Sequence, residues 1–81
     1  ELQALNNQQG LISSDTVNIT SGLLNNDQGL IQSHSAMMID TQGQSLINTN
    51  SGTQGGLLSQ GNLSLKNVGL LDNKLGYLAS G

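Results

Sequence analysis

Aliphatic residues recur along this chain in two patterns. The first is a phrase that sets a leucine before a pair of amides or near-amides and then a glycine: "ALNNQQGLISS", "LLNNDQGLIQS" and "LLDNKLGYLAS". The second is a short stretch of alternating apolar and polar positions: "TVNIT", "AMMID" and "NLSLK". A period of two predicts strands, here very short ones. Gly22, Gly43 and Gly69 follow within a few residues and interrupt them. Glycine also breaks every stretch that could hold apolar residues at helical spacing, so no helix beyond a turn is expected.

Aligned on Gly10, Gly29, Gly56 and Gly76, the phrase occurs four times, at spacings of 19, 27 and 20 residues. The long middle spacing places an insertion, "TNSGTQG" at 49–55, in the third repeat. Two residues after each glycine stand Ile12, Ile31, Leu58 and Leu78, and before it Leu5, Leu24, Ile47 and Leu71. The alternating stretches add columns at Val17, Met37 and Leu63, and at Ile19, Ile39 and Leu65.

A unit of roughly 20 residues with two or three short strands and glycine corners predicts one coil of a parallel β-solenoid. Coils stacked about 4.8 Å apart set like residues above like residues. This would explain the repetition, because each coil must offer the same side chain to its column. The expected fold is all-β, with about four coils and one domain over 1–81. Leu5, Leu24, Ile47 and Leu71 are expected as one inward stack, and Ile12, Ile31, Leu58 and Leu78 as a second. Burial stabilises each such side chain by roughly 1.5–3 kcal/mol before entropy is subtracted.

Asn7, Asn26 and Asn73 also align, with Thr49 as the exception. Stacked amides can hydrogen-bond along a column, and Asn also suits the left-handed corner of a tight turn. Both readings fit the spacing. The insertion is expected as a polar loop off one corner, with a binding loop as the alternative. "SHSA" at 33–36 carries one residue more than "SDT" in the first repeat. Simple alternation points Leu11, Leu30, Leu57 and Tyr77 outward, and likewise Ala4, Leu23, Leu46 and Leu70. Such a stripe can mark an interface, unless twisted corners half-bury it.

Composition narrows the function. Gly, Asn, Gln, Ser and Thr make up 45 of 81 residues, but regular aliphatics and low charge argue against disorder. Net charge is −3, with Lys66 and Lys74 the only bases, so no nucleic-acid surface is expected. The longest strongly apolar run, "AMMI" at 36–39, is too short to enter a bilayer as a span. Cysteine is absent, which removes disulfides and thiolate metal sites. The chain opens in mid-phrase at "ELQAL", as a piece of something longer would.

Candidate chemistry is sparse. His34 is the only histidine, and Asp27 and Asp40 lie seven and six residues away. Solenoid glycosidases and lyases need paired carboxylates. Among Glu1, Asp15, Asp27, Asp40 and Asp72, Asp15 aligns near His34 and Gly61, and Asp72 over Asn48. We expect no catalytic, cofactor or metal site, and no enzyme. The sequons at Asn18-Ile19-Thr20 and Asn62-Leu63-Ser64 are expected by chance in so Asn- and Ser-rich a chain.

"LLNNDQGLIQS…MMIDTQG", "GGLLSQGNLSLKNVGLLDN" and "GYLASG" resemble filamentous-haemagglutinin-type repeats. The third repeat matches best, through Gly56, Leu58, Ser59, Gly61, Leu63 and Leu65, then Leu71 and Asn73. Asp15 and His34 depart from the pattern near its mid-repeat glycine. The resemblance covers nearly the whole chain and implies a right-handed parallel β-helix. It further implies a large exoprotein of Gram-negative bacteria, secreted to the cell surface through an outer-membrane transporter. Such proteins are adhesins, or carriers of contact-dependent growth-inhibition toxins. On that expectation this segment is a stalk whose partners are neighbouring coils. The alternative is a surface that itself binds a host or target-cell receptor or a glycan.

Overall fold

The computed structural model describes residues 3–52 and 55–81. Among these residues the chain forms nine strands and no helix. They are β1 (Leu5–Asn6), β2 (Leu11–Thr20), β3 (Leu24–Asn25), β4 (Leu30–Asp40), β5 (Ser45–Ile47), β6 (Gly56–Ser59), β7 (Asn62–Lys66), β8 (Leu70–Asp72) and β9 (Leu78–Ala79). Every pairing is parallel. One sheet runs β1-β3-β5-β8. The other runs β2-β4-β6-β9, with β7 also paired to β4. This is a parallel β-solenoid of about three turns of roughly 22 residues.

The four aligned phrases do not make four full coils. The last supplies β8, a turn and β9, with no strand stacked on β7. Glu1, Leu2, and Thr53 and Gln54 of the polar stretch, lie outside the described residues.

The core is the set of stacked inward columns. Val17 pairs with Met37 and Met37 with Leu63, while Ile19, Ile39 and Leu65 form the next column, as the alternation predicts. Val17, Met37 and Ile39 are buried. On the other walls the third coil departs from expectation by one residue. The inward stack is Leu5, Leu24, Leu46 and Leu71, not Ile47. The second is Ile12, Ile31, Leu57 and Leu78, not Leu58. Leu46 and Leu57 are fully buried, whereas Ile47 and Leu58 are half-buried.

The reason is the alternation of the pleat, which turns only one of two adjacent residues inward. "LI" at 46–47 and "LL" at 57–58 put an aliphatic at both positions, so hydrophobicity cannot choose. The glycine pair chooses instead. Gly55, not Gly56, is the counterpart of Gly10, Gly29 and Gly76. Gly56 stands in the outward row, opposite Leu30. A Cβ there would strike the Tyr77 carbonyl oxygen.

Leu46 and Leu57 therefore leave the expected outer stripe. Its rows read Leu11, Leu30, Gly56, Tyr77 and Ala4, Leu23, Ser45, Leu70. The extra residue of "SHSA" is a bulge in which Ser14 pairs with Ser33 but Thr16 with Ala36.

Candidate functional site

The repeated phrase builds one turn in the first, second and last coils, and the third coil keeps only its inward asparagine and left-handed corner. The phrase's first polar residue closes an Asx turn: Asn6 Oδ1 accepts from Gln8 N, Asn25 Oδ1 from Asp27 N, and Asp72 Oδ1 from Lys74 N. Its second is an asparagine turned inward. Asn7 Nδ2 donates to Asn26 Oδ1 at 2.7 Å, Asn26 Nδ2 to Asn48 Oδ1 at 2.9 Å, and Asn48 Nδ2 to Asn73 Oδ1 at 2.8 Å. Each upward-pointing amide also donates to a carbonyl of the next coil, on Leu30, Gly56 and Tyr77 in turn.

The result is an unbroken ladder of four rungs with one polarity. Asn26 and Asn48 are fully buried, and no buried side-chain N or O among the described residues lacks a partner. Burial of an amide is tolerable only with its hydrogen bonds made, so the ladder fixes the register of the coils.

Two sequence expectations change here. The third rung is Asn48, not Thr49. The left-handed corner is not the asparagine but the residue two further on: Gln9, Gln28, Asn50 and Leu75, with φ of 57°, 59°, 57° and 56°. The glycine that closes three of the turns is required by contact. A Cβ on Gly10, Gly29 or Gly76 would lie 2.5 Å from the Oδ1 of Asn7, Asn26 or Asn73. One signal could have found Asn48: each rung stands two residues after an inward leucine, at Leu5, Leu24, Leu46 and Leu71.

Thr49 acts elsewhere. Its Oγ1 donates to Asp27 Oδ1 at 2.7 Å, and Asn50 Nδ2 donates to the same oxygen at 2.8 Å. These hydrogen bonds hold the Asp27 carboxyl below its ordinary range, with a smaller contribution from Gln8 and partial opposition from desolvation.

The bulge of β2 and β4 opens a polar groove of about 470 Å³, lined by Ser13, Asp15, Gln32, His34 and Gln60 among others. Four of its lining side chains are hydrogen-bonded within the fold. Gln32 Nε2 donates to Ser13 Oγ, Ser35 Oγ to Asp15 Oδ1, and Ser33 Oγ to Ser59 Oγ. His34 is exposed. A second, more apolar recess of about 480 Å³ lies among Asn50, Gly52, Leu75, Gly76 and Tyr77.

Asp72 stacks over Ile47 rather than Asn48. Asp40 stacks beside Lys66 and accepts from Asn67 Nδ2. Among the described residues no three His, Cys, Asp or Glu side chains gather. The sequon residues Asn18 and Asn62 are exposed on β2 and β7. Comparison with protein-family models, with curated proteins and with solved structures gave no match.

Proposed function

We propose that this chain is a stalk segment of a longer secreted or cell-surface bacterial exoprotein, an adhesin or a toxin carrier. In this reading it holds distal binding or toxin modules away from the cell. Its working partners are further coils stacked at each end, and an outer-membrane transporter during export. The resemblance to haemagglutinin-type repeats supports this, and it also implies right-handed winding; the insertion at 49–55 rests on the repeat spacing and departs from the family pattern.

The observation that carries the reading is the Asn7–Asn26–Asn48–Asn73 ladder. An axial column of buried, satisfied amides commits the chain's interior to stacking. A stalk needs that directional regularity, since a solenoid's stability is the sum of its repeats and their interfaces. The alternative, a receptor- or glycan-binding face, drew on an apolar outer stripe. Gly56 and Ser45 interrupt both rows of that stripe.

A surface exchange separates the two readings. The outward residues Leu11, Leu30, Leu70 and Tyr77 are replaced by serine within the parent exoprotein, with every inward column kept. A stalk retains the parent's adhesion or target-cell killing, and a whole-coil deletion then shortens only its reach. Loss of adhesion with secretion and folding intact would contradict the stalk reading in favour of a binding surface.

A further inference from the structure

We draw no further inference here: the strongest candidate, the polar groove at the β2–β4 bulge, is walled on one side by Ser13, Ser14 and Asp15 of the first coil, and nothing in the structure shows what lies against that coil or what the groove would hold.

Discussion

Asn26 and Asn48 are joined side chain to side chain across 2.9 Å, and neither touches solvent. A buried amide in a small aliphatic core is costly unless each of its groups is paired. Here the coil below and the coil above supply the partners.

A middle rung should therefore matter far more than an end rung. Replacing Asn26 by leucine leaves Asn7 Nδ2 without its rung and Asn48 Oδ1 without its donor. Asn7 Nδ2 keeps the Leu30 carbonyl, so one buried acceptor is orphaned and both ladder bonds of Asn26 are lost; we predict a loss of about 2–4 kcal/mol. Replacing Asn73 by alanine removes only the acceptor of Asn48 Nδ2, which keeps the Tyr77 carbonyl. Its cost should be about 1 kcal/mol or less. Urea unfolding midpoints at matched m-values would give both numbers.

Gly29 and Gly43 are required for different reasons, and alanine should separate them. At Gly29 a Cβ would meet the Asn7 carbonyl oxygen, held by Gly10 N, and Asn26 Oδ1, held by the ladder. We expect Gly29→Ala to cost upward of about 2 kcal/mol, as overpacking does. At Gly43 nothing lies within 4 Å of the added carbon, but φ is +88°. Gly43→Ala should cost only the conformational term, about 1 kcal/mol. Thermal melts of the two variants would show the order, with Gly29→Ala the lower.

Asp27 should give the solenoid an acid-sensitive contribution. Its folded pKa is lowered by Thr49 and Asn50. A lowered carboxylate pKa means the stabilisation is fully present above the ordinary value of 3.8 and is lost as pH falls through the folded value. Asp27→Asn removes the titration but keeps an oxygen acceptor. The stability gap between wild type and Asp27→Asn should be constant above about pH 5 and shrink below pH 4. A gap that widens on acidification would contradict the assignment.

Much of this fold was legible because a stacked coil writes its own alignment. The Val17, Met37, Leu63 and Ile19, Ile39, Leu65 columns follow from period-two stretches with one aliphatic per inward position. The third coil was not legible in the same way. There the chain presents two adjacent glycines and two adjacent aliphatics, and Gly55 stands seven positions after Asn48 where Gly29 stands three after Asn26. Hydrophobicity and glycine spacing then each allow two registers a residue apart. The deciding contacts, Gly56 against Tyr77 and Asn48 in the ladder, join residues from different coils. The amide column itself was visible, but not whether it faced inward. That depends on which residue of the turn takes the left-handed conformation.

The most direct test is the side-chain register of the third coil, read by methyl NOEs in an isotope-labelled sample. The solenoid with its asparagine ladder requires Leu57, not Leu58, to lie between Ile31 and Leu78. NOEs from the Leu57 methyls to Ile31 and to Leu78 are predicted, with Leu58 instead near Gln32 and Ala79. Cross-peaks from the Leu58 methyls to Ile31, or Hα–Hα cross-peaks of antiparallel pairing, would contradict the account.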